Sequence, residues 1–208
     1  MKTRTDLLNH LAEKYKLERY LEIGVQVPEL NFDKIKCPYK IGVDPDQKAH
    51  ATFHMTSDEF FETGFDNSFV NNDWETQFDL IFIDGLHTAE QVKKDFENAL
   101  KILSPNGFIV LHDCNPEKEE HTIVPRPTER GHWNGDVYKF ACELGYYFEK
   151  FRVVDIDNGC GVWNWSGADI QKDSDLWWPQ TWETFDSRRK HLLNLISWDE
   201  FVSLNPHV

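Results

Sequence analysis

The sequence predicts a doubly wound α/β fold, in which helices cover both faces of a mostly parallel sheet. Short apolar runs that end at glycine or aspartate alternate along the chain with segments of helical period. This regular order is typical of parallel strands that are joined by helical crossovers. The chain has 208 residues, which is enough to bury one such sheet.

The first half of the chain predicts one helix, three strands and a short second helix. Leu7, Leu8 and Leu11 recur on one stripe of a helix, which predicts an N-terminal helix. A strand is predicted where an apolar run ends at Gly24, and another before the turn sequence Asp44-Pro45-Asp46. The predicted ranges are a helix over 5–15, strands over 19–24, 39–43 and 51–55, and a helix that begins at 56–58.

The second half begins with the clearest strand, Phe78 to Ile83, whose near-continuous apolar run suits a parallel strand buried on both faces. A helix over 88–103 follows, with Val92 and Phe96 at helical spacing, and residues 104–107 end it. Because no helix separates the last two strands, we expect one antiparallel strand at the sheet edge. The other predicted ranges are loops over 66–77 and 117–132, strands over 108–111, 148–154 and 161–165, and helices over 135–144 and 184–196.

We predict two parts: a sheet domain over residues 1–168 and a tryptophan-rich helical extension over residues 169–208 that packs on it. An aromatic-rich extension can pack on its domain, line a substrate cleft or cover a contact between two copies of the chain. The sequence leaves these alternatives, including a homo-oligomer, open. The tryptophans concerned are Trp177, Trp178, Trp182 and Trp198.

The chain is acidic, with 22 Lys and Arg residues against 36 Asp and Glu residues and a net charge of −14. Because such a chain repels phosphate backbones and anionic lipid, neither nucleic acid nor a membrane is an expected partner. No apolar run approaches the roughly 20 residues that a membrane span needs, and the N-terminus lacks a signal core. We therefore expect a cytoplasmic protein with reduced cysteines.

Acidic residues follow the predicted strands, at the edge where ligands bind in open α/β sheets. Asp44, after the second strand, is placed to accept hydrogen bonds from a ribose diol, although it also suits the turn itself. Neither a GxxxxGK[ST] loop nor a GxGxxG fingerprint is present, which disfavours nucleotide triphosphates. The strand-end acids are Glu22, Asp44, Asp58, Asp84 and Asp113.

The fourth and fifth strands are followed by a second polar set, made of Asp84, His87, His112 and Asp113. Carboxylates combined with imidazole suit a divalent metal such as Mg, Mn, Fe or Zn. Alternatively, His87 is a general base that removes a hydroxyl proton. A purely structural interpretation also stays open, in which Asp84 and His87 cap the next helix and His112 packs under a loop.

Taken together, these motifs resemble the class I S-adenosylmethionine-dependent methyltransferases. The resemblance depends on the ordered set YLEIG, IGVDP, TSDEFF and FDLIFIDGLHTAEQVKKDFENALKILSPNGFIVLHDCNP between Tyr20 and Pro116. A weaker WNGDV stretch lies at Trp133 to Val137. The similarity is to the subgroup with an IDGxH motif and an HD pair after the fifth strand.

The resemblance implies a Rossmann-like methyltransferase fold with seven strands, the last of them antiparallel. It implies that acids at positions such as Asp84 and Asp113 hold a divalent cation in metal-dependent relatives, among them catechol-type and macrolide-sugar O-methyltransferases. It also places a base at His87. The implied cofactor contacts are Glu22 and Gly24 for the methionine part, Asp44 for the ribose, Ser57 and Asp58 near the adenine, and Asp84 facing the sulfonium.

The chain departs from the family pattern at two places. The first loop, usually ExGxGxG, here reads Glu22-Ile23-Gly24-Val25-Gln26-Val27-Pro28 with one glycine, which predicts a reshaped loop. His112 stands where metal-dependent relatives more often carry an acid, which disfavours a metal. If a metal is bound, the expected ligands are Asp84, His112 and Asp113.

The predicted function is methyl transfer from S-adenosylmethionine to a hydroxyl of a small molecule, sugar or glycan, with His87 and Asp84 as catalytic residues. Two alternatives stay open. A metal-dependent oxygenase or hydrolase would use Asp84, His87, His112 and Asp113 as ligands. A degenerate, non-catalytic binding module would explain the missing glycines.

Overall fold

The computed structural model describes residues 1–63, 77–127, 131–164 and 181–204. The predicted loop over 66–77 lies outside these residues except for its last position, and so do Trp177 and Trp178. In the described part no helix is long and apolar enough to cross a membrane.

The described residues form a mixed sheet whose spatial order is β2-β1-β3-β4-β6-β5. The first four of these strands run parallel, and β6 is antiparallel to both β4 and β5. The predicted doubly wound α/β class is confirmed. The strands are β1 (Arg19–Ile23), β2 (Tyr39–Val43), β3 (Phe78–Ile83), β4 (Leu103–Leu111), β5 (Arg152–Val154) and β6 (Cys160–Asn164).

Helices cover both faces of this sheet because alternate strand residues point to opposite sides. On one face Ile81 and Ile109 belong to a core that includes Phe96 and Phe140. On the other face Phe82 packs in a core with side chains of the first and last helices. The helices are α1 (Arg4–Tyr15), α2 (Ser57–Thr63), α3 (Ala89–Lys101), α4 (Val137–Tyr147), α5 (Trp182–Leu192) and α6 (Trp198–Ser203).

Two expectations about the strands were wrong. The predicted strand over 51–55 is reduced to one parallel bridge between Val43 and Phe53, so six strands, rather than seven, form in the described residues. The antiparallel strand is not at the edge either, because β6 inserts between β4 and β5 and leaves β5 outermost. Pairing with β4 on one side and β5 on the other satisfies the backbone of β6 on both sides.

Two element boundaries and the number of helices in the tail also differ from the predictions. Residues 104–107 were expected to end a helix, but α3 ends at Lys101 and these residues belong to β4. The first strand of the C-terminal hairpin is shorter than the predicted range 148–154, because β5 begins at Arg152. The tail holds two helices where one was expected, since Ser197 and Glu200 form a capping box that starts α6.

The order of the strands defines where a ligand can bind. The chain passes from β1 outward to β2 and then returns to place β3 on the other side of β1. Open α/β sheets bind ligands outside the carboxyl ends of the strands at such a reversal. The residues after β1, β2, β3 and β4 therefore define the candidate site.

Candidate active site

A cleft of about 780 Å³ lies at the carboxyl ends of β1 to β4. Its volume is in the range of cavities that hold small-molecule ligands. The structure brings every site residue predicted from the sequence to this one cleft. These residues are Glu22, Gly24, Asp44, Ser57, Asp58, Asp84, His87, His112 and Asp113.

The end of β1 packs tightly against the end of β3. Gly24 adopts a φ of +89°, and a Cβ added there would lie 2.2 Å from the carbonyl oxygen of Asp84. Glu22 is buried and accepts hydrogen bonds from the Tyr20 hydroxyl at 2.6 Å and from Asn31 Nδ2 at 3.1 Å. Burial raises the pKa of Glu22 to about 7.

Asp44 explains how a loop with a single glycine folds after β1. One carboxylate oxygen accepts the backbone N–H of Gln26, and the other accepts that of Asp46, both at 2.8 Å. The first bond ties the loop to the end of β2, and Gln26 takes a left-handed φ of 51° there. Each oxygen keeps a lone pair for a further donor, because a carboxylate offers about four acceptor sites.

The predicted adenine region is organised by the side chain of Gln91, which is not among the predicted site residues. Gln91 Nε2 lies 3.2 Å from Ser57 Oγ, 2.9 Å from Asp58 Oδ1 and 3.0 Å from Asp95 Oδ1. Burial raises the pKa of Asp95 to about 6, and its second oxygen is buried without a partner in the described residues. Gln91 thus joins α2 to α3 at this end of the cleft.

At the other end of the cleft, His87 lies between two carboxylates. Its Nδ1 is 2.9 Å from Asp113 Oδ2, and its Nε2 is 3.4 Å from Asp84 Oδ1. Burial by itself would lower the pKa of His87, but hydrogen bonds to Asp113 and Asp84 outweigh it and raise the pKa to about 9.

Helix capping, the structural alternative for Asp84 and His87, is performed by other residues. Thr88 caps α3 by accepting the backbone N–H of Gln91, and Asp136 accepts that of Ala89 at 2.7 Å. The side chains of Asp84 and His87 therefore face the cleft rather than the helix end.

His112 is enclosed by charged groups on two sides. Its Nδ1 lies 3.2 Å from Asp84 Oδ1 and 3.4 Å from Asp113 Oδ1, while its Nε2 faces Arg4 at 3.2 Å and Asp157 at 3.8 Å. Burial opposes the charged form, but the carboxylates outweigh it and hold the pKa of His112 well above its ordinary value. Arg4 and Asp157 were not predicted, because nothing in their local sequence marks them.

The WNGDV stretch supplies the support around His87. The Trp133 indole stacks on the His87 imidazole with centroids 5.0 Å apart and an interplanar angle of 5°. Asn134 donates its Nδ2 to Asp113 Oδ1 at 2.6 Å, and a Cβ on Gly135 would lie 1.7 Å from the His87 carbonyl oxygen. The WNGDV stretch is part of the family resemblance, although none of its residues is among the predicted site residues.

The donor set fits a divalent cation. One ligand atom from each of Asp84, His87 and Asp113 lies within 4.8 Å of the others. Two carboxylates and an imidazole suit Mg, Mn, Fe or Zn. This set contains His87 where the sequence analysis expected His112, and the role of His112 as a ligand stays a prediction.

The fold and the cleft define a doubly wound α/β protein with a ligand site at its strand reversal. Residues 29–114 match the family model described as a methyltransferase domain. This match confirms the predicted enzyme class, a methyltransferase.

Solved structures with similar folds include methyltransferases of low identity. An O-methyltransferase from Bacillus cereus in complex with SAH is 16% identical, with 78% of this chain and 80% of that chain covered and a TM-score of 0.49. SAH-bound PaMTH1 from Podospora anserina is 18% identical, with 78% of each chain covered and a TM-score of 0.49. MycE of the mycinamycin pathway, in complex with Mg and SAH, is 17% identical, with 91% of this chain and 57% of that chain covered and a TM-score of 0.45.

Proposed function

We propose that this chain transfers the methyl group of S-adenosylmethionine to a hydroxyl oxygen of a small molecule, with His87 as the general base. The observation that carries the proposal is the contact of 2.9 Å between His87 Nδ1 and Asp113 Oδ2 beside the cleft. The carboxylate on Nδ1 orients the imidazole, and Nε2, which lies 3.4 Å from Asp84 Oδ1, is the nitrogen that would accept the hydroxyl proton. Asn134, which donates to the other oxygen of Asp113, holds that carboxylate in place.

Several features of the cleft support the cofactor assignment. All five residues concerned line the cleft: Asp44 would accept hydrogen bonds from the ribose, Ser57 and Asp58 would lie near the adenine, and Glu22 and Gly24 would lie near the methionine part. When bound, the cofactor supplies an electrophilic methyl group on a positively charged sulfur. The positive charge of a bound cofactor would lower the pKa of His87 and so oppose the two carboxylates that raise it. The neutral imidazole, which is the form that acts as a base, is thereby favoured.

A divalent cation would change the role of His87. Asp84, His87 and Asp113 would hold the cation, which would lower the pKa of an acceptor hydroxyl and orient it. In that arrangement His87 is a ligand, and deprotonation depends on the metal instead of on a free imidazole. Activity that is lost in EDTA and restored by Mg or Mn would establish this form.

The test begins with calorimetry, in which S-adenosylhomocysteine is titrated into the protein. Methyl transfer from labelled S-adenosylmethionine to a panel of catechols, hexoses and aryl glycosides follows. We expect binding, methylation of at least one panel member, and loss of turnover in His87→Ala with cofactor affinity retained. His54→Ala is the matched control, because His54 is exposed and does not line the cleft. Absence of binding at millimolar ligand would overturn the proposal and favour a binding module.

A further inference from the structure

The acceptor end of the cleft carries a cation, Arg126, that has no acidic partner among the described residues. Arg126 lines the cleft, and its side chain is exposed. Its guanidinium carbon lies 5.2 Å from the centroid of the Trp133 ring. Among the described residues, no carboxylate forms an ion pair with Arg126.

The surroundings make this cation distinctive. The chain has a net charge of −14, and six carboxylates against two arginines line the described cleft wall. Its other arginine, Arg4, is already engaged by Asp157 at 3.5 Å and by the ring of His112. The acids that line the cleft are Glu22, Asp44, Asp46, Asp58, Asp84 and Asp113.

Arg126 lies close to the reacting end of the cleft. Both residues contact Trp133, with 5.0 Å between the His87 and Trp133 ring centroids and 5.2 Å from the Trp133 centroid to the Arg126 guanidinium carbon. The guanidinium is therefore no more than about 10 Å from the imidazole. That span suits two substituents of a small acceptor, a hydroxyl at His87 and a second group at Arg126.

We propose that Arg126 recognises an anionic group, a carboxylate or a phosphate, on the methyl acceptor, so that the substrate is a hydroxylated acid. This inference rests on the proposed function of the cleft. A guanidinium presents a planar fork of donors that matches both anions in two-point hydrogen bonds. Because carboxylates outnumber arginines in the cleft wall, an acidic acceptor is best placed where its charge meets Arg126.

Stacking on Trp133 pre-organises the Arg126 side chain for binding an anionic group. The indole face holds the guanidinium by a cation–π contact, which restricts the long side chain before the acceptor arrives. The same indole lies flat on His87, so one aromatic ring positions both the base and the anion-binding group. Trp133 is itself fixed, because its Nε1 donates to the carbonyl oxygen of Ile123 at 2.7 Å.

Binding of matched probe pairs tests the inference without depending on turnover. The pairs are 4-nitrophenyl β-D-glucuronide with the corresponding glucoside, 3,4-dihydroxybenzoate with its methyl ester, and glucose 6-phosphate with glucose. Dissociation constants are measured by calorimetry on full-length protein saturated with S-adenosylhomocysteine. We expect at least one acidic member to bind tenfold or more tightly than its neutral partner, with a preference that weakens at high salt. The first two pairs report on carboxylate and the third on phosphate.

Variants separate recognition from a structural role. In Arg126→Gln the preference for the acidic member should disappear or invert, because only the acidic wall is left, while the neutral member binds as before. Arg126→Lys should keep part of the preference, and Lys118→Gln, which removes an exposed cation of the same loop outside the cleft, should keep all of it. Equal loss of both members in Arg126→Gln, or no acidic preference in any wild-type pair, would overturn the inference. An acidic preference without methyl transfer would instead contradict the proposed function alone.

Discussion

The imidazole of His87 lies parallel to the indole of Trp133, with their centroids 5.0 Å apart and their planes 5° from parallel. The two residues are far apart in sequence, but the backbone carbonyl oxygen of Trp133 also lies 3.3 Å from His87 Nδ1. One side of the proposed base is thereby covered by an aromatic ring. The other contacts of His87 are the carboxylates of Asp113 and Asp84.

Removing the indole should weaken catalysis more than cofactor binding. We expect Trp133→Ala to lower kcat about fivefold, because a stacked aromatic pair contributes roughly 1 kcal/mol beyond the area that it buries. Trp133→Phe should retain most of the activity, since a ring still covers His87. The measurements are kcat for the best acceptor of the panel and the Kd of S-adenosylhomocysteine. Unchanged kcat in Trp133→Ala would show that the stacking does not position the base.

The buried side-chain amide of Asn134, next to Asp113, should be essential for the stability of the fold. Asn134 is fully buried and donates to Asp113 Oδ1, so Asn134→Asp places a second carboxylate beside the first. We expect the free energy of unfolding to fall by about 3 kcal/mol or more at pH 8, and by less at pH 5. Urea unfolding at both pH values gives this comparison. Asn106→Asp is the control, since Asn106 is exposed and Asp tolerates its left-handed φ.

The burial of Glu22 predicts a pH dependence of stability. Its folded pKa of about 7 lies above the ordinary value of 4.5, so folding favours the protonated acid. Stability is therefore lost as pH rises from 4.5 through 7, by a total on the order of 3 kcal/mol. Glu22→Gln should remove this part of the pH dependence, because an amide oxygen can still accept from Tyr20 and Asn31.

The measurement for Glu22 is the difference between wild type and Glu22→Gln in unfolding free energy at pH 5 and pH 8. That difference isolates one group from the others that titrate in the same window. The exposed carboxyl of Glu13 supplies the control variant, Glu13→Gln, which should follow wild type. If the unfolding free energy changed equally between pH 5 and pH 8 in wild type and in Glu22→Gln, the raised pKa of Glu22 would be contradicted.

Gly24 should tolerate no side chain. A Cβ would overlap the Asp84 carbonyl oxygen at 2.2 Å, and the φ of +89° is strained for any other residue. We expect Gly24→Ala to separate the ends of β1 and β3, destabilise the fold by roughly 1 kcal/mol or more, and weaken S-adenosylhomocysteine binding at least tenfold. Calorimetry and thermal unfolding provide the readouts. Gly131→Ala, where a Cβ meets nothing within 4 Å, should leave both unchanged.

Local patterns predicted the strands that build the site. β1, β2 and β3 appear where apolar runs ended at Gly24, Asp44 and Asp84, because burial on both faces demands such runs. The weak run at 51–55 was the exception. There only Phe53 pairs with Val43. The other residues of this segment bury too little apolar surface to stabilise a full strand at the sheet edge.

The sequence alone determined that acidic and imidazole groups meet at one edge of a parallel sheet, because strand direction and strand ends follow from periodicity and turn chemistry. Only the tertiary structure decided their partners. Trp133, Asn134 and Arg126 reach the site through the course of a long loop, and Arg4 reaches His112 across 108 positions of sequence. Contacts between residues that distant depend on how loops and helices pack, and no local pattern encodes that packing.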